Sequence, residues 1–144
     1  MFREKIKVLD CTIRDGGLMN NHDFDLKFVR EVYKALSQSG IDYMEIGYKN
    51  SKRLFNPKDY GKWKFCDDQD IRKVIEGIKS DTKISVMVDV DRVDVEDILL
   101  KSESPVDMIR VATYVKDVDK AIHLVNCFSD KIGRASCRER VYHP

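Results

Sequence analysis

Near the N-terminus, one short run combines a guanidinium, a carboxylate and two glycines: LDCTIRDGG, residues 9–17. Asp15 offers a hard oxygen ligand for a divalent cation, and Arg14 can hold a carboxylate in bidentate fashion or stabilise an enolate oxygen. Gly16 and Gly17 permit positive backbone φ and the close approach of a ligand. These groups suit carbonyl chemistry, although an Arg-Asp pair on a loop is at least as often an internal salt bridge or a helix cap.

Apolar periodicity around this run predicts strands and helices in strict alternation. The predicted strands are 7–11, 42–48, 83–90 and 106–112, and the predicted helices are 25–39, 70–79, a short one at 95–99 entered through Asp94 as cap, and one from Val118. Strands separated by helices run parallel, and right-handed crossovers are nearly universal. The sequence therefore predicts α/β architecture with four βα units, either half of a barrel or a small doubly wound sheet.

In both arrangements the functional residues gather at the carboxyl ends of the strands. Glu45 lies in the second strand, and Arg110 and Thr113 lie at the end of the fourth, where they could bind a substrate carboxylate or hydroxyl. Each has a plainer interpretation: Glu45 could face solvent or pair with a lysine, and Arg110 could pair with Asp89. The basic and aromatic segment 49–65 could cover an anionic substrate or form a solvated loop.

The run LDCTIRDGG resembles the first-strand signature of the metallolyase family that contains hydroxymethylglutaryl-CoA lyase, isopropylmalate and homocitrate synthases, hydroxy-oxovalerate aldolase and the pyruvate carboxylase carboxyltransferase domain. The run YMEIG, residues 43–47, resembles that family's second strand, which bears a buried acidic residue. The resemblance implies the N-terminal half of a (β/α)8 TIM barrel. It implies an enzyme that forms or cleaves a carbon–carbon bond of a 2-oxo acid through an enolate.

By the same resemblance, Asp15 would ligate a divalent metal (Mg, Mn, Co or Zn), Arg14 would stabilise the enolate oxygen, and Glu45 would support Arg14. The family completes its metal site with a His-x-His pair, and no two of the three histidines here have that spacing. Family aldolases place a catalytic-base histidine where this chain has Leu18. His22 could replace that base, although a lone loop histidine is more often a capping or surface residue.

The sequence changes character after Lys131. The string IGRASCRERV, residues 132–141, has no apolar period, and the codons ATC GGA AGA GCG TCG TGT AGG GAA AGA GTG of a translated sequencing adapter encode it. We therefore expect a partial barrel domain at 1–131 and a non-native tail at 132–144 that does not continue the fold. A chain cut short in this way is expected to have little or no activity, and a basic native tail is the plainer alternative.

Composition excludes several functional classes. With 26 Lys plus Arg against 25 Asp plus Glu, the chain has no long-range field that would gather nucleic acid or anionic lipid. No apolar run approaches a membrane span and no signal-peptide region is present, so we expect a cytoplasmic protein with a small-molecule partner. Four widely spaced cysteines indicate reduced thiols. A homodimer formed by pairing of barrel halves is a further expectation.

Two other functions remain open from the residues alone. One is a catalytically silent scaffold or sensor that kept the barrel, which agrees with Leu18 in place of the base. The other is a flavodoxin-like receiver or nucleotide-binding domain in which Asp10 and Asp15 would bind magnesium. The receiver hypothesis fits the length of 144 residues but leaves the first-strand motif unexplained.

Overall fold

The computed structural model describes residues 6–139. Its strands are β1 (Leu9–Asp10), β2 (Tyr43–Tyr48), β3 (Lys83–Asp89), β4 (Met108–Thr113) and β5 (Ala135–Glu139). Its α-helices are α1 (Thr12–Gly16), α2 (Leu26–Gln38), α3 (Asp68–Ile75) and α4 (Val118–Ile132), and single 3₁₀ turns occupy Lys62–Lys64, Val95–Asp97 and Val115–Asp117. An α-helix separates consecutive strands as the periodicity predicts, except between β3 and β4, where only a 3₁₀ turn forms.

All neighbouring strands pair in parallel, in the order β1-β2-β3-β4-β5. A flavodoxin-like sheet has the order 2-1-3-4-5, because its chain reverses direction across the sheet at a switch point. The observed order has no reversal and corresponds to one wall of a barrel. The receiver hypothesis is therefore wrong, and the prediction of a half barrel is confirmed.

The two faces of the curled sheet differ sharply in chemistry. One face packs against the helices and forms the main apolar core, to which Ile46, Val86 and Val111 contribute from the strands and Phe128 from α4. The opposite, inner face carries Glu45 and Arg110 together with a small apolar cluster of Tyr48, Met87 and Ala112. Alternation of side chains along the strands produces this separation.

Helix α2 agrees with its sequence signals. Asp25 is the N-cap, and its carboxylate accepts hydrogen bonds from the backbone N–H groups of Lys27 and Phe28 at 2.7 and 3.3 Å. Gly40, at φ +70°, lies just beyond the last turn. The periodicity predicts a helix at 70–79, whereas α3 occupies Asp68–Ile75. It ends early because Gly77 adopts φ +71°, which helical backbone does not tolerate.

The segment after β3 departs from prediction. Only a 3₁₀ turn forms at Val95–Asp97, and the Asp94 side chain makes no cap hydrogen bond. Its carboxylate instead forms an ion pair with the guanidinium of Arg53 on the segment that follows β2. The Asp94 carboxylate, which would accept the hydrogen bonds at the start of a helix, is thus engaged in an ion pair between two loops.

The expectation that the fold stops near Lys131 is also wrong. Helix α4 runs to Ile132, Gly133 closes it at φ +80°, and Ala135–Glu139 pairs in parallel with β4 over five residue pairs, Ile109↔Ala135 to Thr113↔Glu139. An open strand edge offers backbone donors and acceptors to any extended segment, whatever its side chains. The fold therefore has five strands rather than four βα units alone. The adapter origin of residues 132–144 stays a prediction, and residues 140–144 lie outside the described part.

Within residues 6–139, no helix has the length and apolar character that crossing a membrane requires.

Candidate active site

The N-terminal motif turns directly from strand into helix. The carboxylate of Asp10 accepts from the backbone N–H of Thr12 at 3.0 Å and from its hydroxyl at 2.8 Å, which fixes the turn that starts α1. Arg14 follows in this short helix, and its side chain is only 4% exposed. The motif is thus helical at its end, with Gly17 at φ −58°. Neither Gly16 nor Gly17 adopts the positive φ that glycine permits.

Glu45 is the centre of a buried polar network on the inner face. Its side chain is fully buried, and its Oε1 accepts from Nε of Arg14 at 2.8 Å while its Oε2 accepts from Nη1 of Arg110 at 3.0 Å. The Cys11 thiol lies 3.6 Å from Oε1 of Glu45 and 3.8 Å from Nη1 of Arg110. Strands β2 and β4, helix α1 and its N-cap residue Cys11 therefore bring these four side chains together.

Burial and pairing shift the ionisation of two network members. Burial alone would lower the pKa of Arg14, but hydrogen bonding to Glu45 and its charge outweigh that effect and raise the pKa further above its usual value. Burial, reinforced by the Glu45 charge, raises the pKa of the Cys11 thiol. Arg14 is thus a permanent cation, and Cys11 stays a neutral thiol near pH 7.

Asp15 connects this network to open space. Its carboxylate pairs with Nη1 of Arg14 and remains 57% exposed. Both residues line a cleft of about 430 Å³ at the carboxyl edge of the sheet, together with Leu18 and Tyr48. A buried guanidinium and an exposed carboxylate therefore meet at the wall of a cavity large enough for a small organic acid.

His22 is buried, unlike the surface residue that a loop histidine usually is. It is 2% exposed, its backbone φ is +62°, and its Nδ1 has no hydrogen-bond partner among the described residues. Burial, with the positive charges of Lys64 and Arg14, lowers its pKa to about 4. The ring fits because Gly17 has no side chain: a Cβ there would lie 2.2 Å from Nδ1. The group that approaches Gly17 closely is thus the His22 ring of the chain itself.

The two candidates of β4 have different surroundings. Arg110 joins the network because its Nη1 pairs with Glu45. The sequence alone leaves a pair with Asp89 open as the alternative. The Thr113 hydroxyl donates to the backbone carbonyl of Tyr114 at 3.0 Å and lines a separate cleft of about 270 Å³ beside Asp89. The structure brings Arg14, Asp15, Glu45 and Arg110 together and leaves Thr113 apart.

Sequence reasoning did not assign two residues that the geometry places at the site. The sequence indicates only a reduced thiol at Cys11 and only part of a strand at Tyr48. A thiol one residue after an apolar strand gives no distinctive signal. The position of Tyr48 depends on an irregularity in the β2–β3 register between Glu45 and Tyr48, which shifts the end of the strand.

The described residues do not by themselves complete a metal site. No group of three or more His, Cys, Asp and Glu side chains suited to holding an ion occurs within 6–139. Asp15 supplies one exposed carboxylate, whereas a tightly bound divalent ion takes several ligands. This part of the chain therefore fits a contribution to a metal site rather than a whole one.

The chain is similar over most of its length to aldolases. It is 24% identical over 119 residues to the 4-hydroxy-2-oxovalerate aldolase of Moorella thermoacetica, covering 83% of this chain and 35% of that protein. It is 23% identical over 137 residues to 4-hydroxy-2-oxovalerate aldolase 6 of Rhodococcus jostii, covering 94% and 37%. The chain thus spans about a third of the length of the curated aldolases that it matches.

Two further likenesses agree with this result. The (R)-citramalate synthase of Sulfolobus acidocaldarius is 39% identical over 59 residues, which are 41% of this chain and 10% of that protein. A crystal structure of an N-terminal domain assigned to an aldolase of Bacteroides vulgatus superposes with a TM-score of 0.76 at 29% identity, covering 93% of this chain and 44% of that one. No protein-family model matches the chain.

Fold and sequence together define the N-terminal half of an aldolase-type TIM barrel. The homologues of this chain are 4-hydroxy-2-oxovalerate aldolases and a citramalate synthase, and the match covers their N-terminal part. The resemblance seen in the first-strand motif is therefore confirmed. The homologues are themselves enzymes, named as aldolases and a synthase.

Proposed function

We propose that this chain supplies the enolate-stabilising half of the active site of a divalent-metal-dependent aldolase or lyase that acts on a 2-oxo acid. One observation carries the proposal: a buried Arg14, fixed by Glu45, meets an exposed Asp15 at the wall of an open cleft. The names of the homologous aldolases support the substrate class.

Each residue has a role that its surroundings favour. Glu45 accepts a hydrogen bond from Nε of Arg14 and so fixes the guanidinium plane, and Nη1 of the same guanidinium pairs with Asp15. A fixed cation of this kind stabilises negative charge that develops on a substrate oxygen without reorganisation. Asp15 would contribute one carboxylate ligand to the metal, which polarises a 2-oxo acid when bound. Arg110 holds the other oxygen of Glu45 and acts as a positioning residue.

The remaining ligands would come from outside the described residues. We propose that the parent protein has further βα units with a His-x-His strand and that the 144-residue chain alone has little or no activity. The test is the genomic sequence past the codon for Lys131. A native stop there, or the codons for 132–141 in clean genomic DNA, would contradict the truncation and leave a small non-catalytic domain.

The role of Asp15 is testable on the chain itself. Titration with Mn²⁺ should broaden the backbone amide NMR signals of residues 14–17 selectively, because the paramagnetic ion would sit at the Asp15 carboxylate. Asp15→Asn should abolish this broadening. Asp23→Asn, at an exposed acid in the following loop, is the matched control and should retain it. Broadening that survives in Asp15→Asn would exclude Asp15 as the ligand.

In the parent enzyme, Arg14→Lys should lower kcat for cleavage of a 4-hydroxy-2-oxo acid by roughly 10²–10³, the usual effect of losing one fixed oxyanion donor. Pyruvate release in a coupled assay measures this rate. Arg30→Lys is the control, because that side chain only donates to backbone carbonyls of α3. Unchanged kcat in Arg14→Lys would contradict the proposed role.

A silent scaffold is the second candidate, and a specific observation favours it. Leu18, which stands where family aldolases have the base, is 61% exposed on the wall of the cleft, and leucine has no group that can accept a proton. A parent protein that binds Mn²⁺ through Asp15 but cleaves no 2-oxo acid would support the scaffold over the enzyme.

A further inference from the structure

A second cavity lies between the segments that follow β2 and β3, away from the candidate active site. It has a volume of about 420 Å³ and shares no lining residue with the cleft at Arg14 and Asp15. Its walls come from the run after β2, from residues around the start of α3 and from the segment after β3. A cavity of this size can hold a small organic molecule.

Asn50 lines this cavity with a side-chain amide that has no partner. The residue is only 5% exposed, and neither its Nδ2 nor its Oδ1 forms a hydrogen bond with any described residue. Buried polar groups in native proteins are almost always hydrogen-bonded, and an amide can both donate and accept. Asn50 thus leaves a donor and an acceptor side by side for a molecule that enters the cavity.

The backbone around Asn50 is held by neighbouring segments. The N–H of Asn50 donates to the carbonyl of Lys64 at 3.2 Å. The N–H groups of the residues before and after it donate to the carbonyls of Met87 and Arg92, both at 2.9 Å. Three consecutive hydrogen bonds to three different parts of the chain fix the run 49–51, so the amide is held in place before any ligand binds.

The cavity wall carries more negative than positive charge. Its charged lining residues are Lys49, Lys52, Asp67, Asp68, Asp94, Glu96 and Asp97. Three ion pairs involve these groups: Lys49–Asp68 at 2.5 Å, Lys52–Asp67 at 2.7 Å and Arg53–Asp94. Glu96 and Asp97 are exposed and form no ion pair within residues 6–139. Five carboxylates thus face three cations, and the excess of negative charge favours a cationic ligand.

We propose that this cavity binds a small primary amine that also carries a carboxamide, with the carboxamide at Asn50 and the ammonium at Glu96 and Asp97. The Nδ2 of Asn50 would donate to the ligand carbonyl, and its Oδ1 would accept from the ligand N–H, so that both orphaned atoms are used. Leu99, 39% exposed on the same wall, offers a contact for an alkyl group. The inference is independent of the proposed function, because the two cavities share no residue.

The test is an NMR titration of the full 144-residue chain at low ionic strength, where exposed charges are least screened. L-Leucinamide has all three features, isoamylamine is the same molecule without the carboxamide, and N-acetyl-L-leucinamide lacks the positive charge. Dissociation constants come from the backbone amide shifts of Phe65, Asp97 and Leu99, and the Asn50 side-chain NH₂ signals report its hydrogen bonding. We expect leucinamide to bind roughly tenfold more tightly than either analogue, as for the loss of about one charge-assisted or two neutral hydrogen bonds.

Asn50→Leu separates the amide contact from the charge. It should bring the ratio of leucinamide to isoamylamine affinity to about one, while the urea midpoint stays the same or rises, because no hydrogen bond is lost in the free chain. Asn56→Leu is the matched control, since Asn56 lies in the same segment but its Oδ1 already accepts from the N–H of Lys58 at 3.1 Å. It should leave the ratio unchanged.

The double change Glu96→Gln and Asp97→Asn alters only exposed side chains, so folding is not at issue. It should weaken leucinamide binding roughly tenfold and leave the binding of N-acetyl-L-leucinamide as it is. Glu76→Gln, at an exposed acid beyond the last turn of α3, is its control. The inference is overturned if leucinamide gives no saturable shift at Asn50. Equal binding of leucinamide and isoamylamine, or a ratio that survives in Asn50→Leu, would overturn it as well.

Discussion

Replacing Glu45 by Gln should destabilise the fold more than almost any other single conservative change in the chain. The side chain is fully buried, and its two oxygens accept from Arg14 at 2.8 Å and from Arg110 at 3.0 Å. Removing one partner of a buried ion pair costs about 3–5 kcal/mol, because the remaining charge is left uncompensated in a poorly polarisable interior. The amide oxygen of Gln still accepts one hydrogen bond, so we expect about 3 kcal/mol.

Urea unfolding followed by circular dichroism measures the effect. With a slope near 2 kcal/mol per molar urea, typical of a small protein, a loss of about 3 kcal/mol lowers the midpoint by roughly 1.5 M. Glu31→Gln is the control, because Glu31 is 62% exposed and its oxygen lies 4.0 Å from Nζ of Lys34. That variant should unfold with the wild type, since exposed pairs contribute little. A midpoint change below about 0.3 M in Glu45→Gln, at equal slope, would refute the argument that the network stabilises the fold.

Three further predictions follow from other contacts. Gly17→Ala should lower the free energy of unfolding, measured in urea, by about 1–3 kcal/mol, because its Cβ would lie 2.2 Å from Nδ1 of His22. The backbone φ of −58° itself suits alanine. A gain in stability would show that the His22 ring moves freely. The pKa of His22 in the folded chain, about 4, lies below the usual histidine value of about 6.5. Its contribution to stability is therefore present above pH 6.5 and is lost as the pH falls towards 4, and His22→Phe should lack this part of the pH dependence. Complete burial raises the pKa of the Cys66 thiol, so Cys66 should react with a thiol reagent far more slowly than the exposed Cys137. Mass spectrometry of the labelled peptides measures the two rates. Equal rates would contradict the burial of Cys66.

Periodicity predicted the elements whose apolar faces are strong. The helix at α2 and the strands β2, β3 and β4 lie within one or two residues of their predicted bounds, because each buries one regular face in the same core. Strand β5 could not be predicted in this way. Its sequence, ASCRE, has no apolar face, and it becomes a strand through backbone pairing with the open edge of β4.

The site was predictable in its residue types but not in all its contacts. Arg14, Asp15 and Glu45 were identified because their motif resembles that of a known family. That Arg110 shares Glu45 with Arg14 depends on the register of β2, β3 and β4, which a single sequence does not specify. The burial of His22 depends on a tertiary contact with Gly17, and local pattern contains no information about it.

Electroneutrality connects the network with the chemistry we propose. Arg14, Arg110, Glu45 and Asp15 sum to zero charge, and three of the four are largely removed from water. In such surroundings an uncompensated charge is costly. A 2-oxo acid brings one negative charge with its carboxylate and a second when the enolate forms, so the network alone would be left with two. A divalent cation held at Asp15 would cancel both, which is a physical reason why the proposed reaction would depend on a metal although the site already holds two guanidiniums.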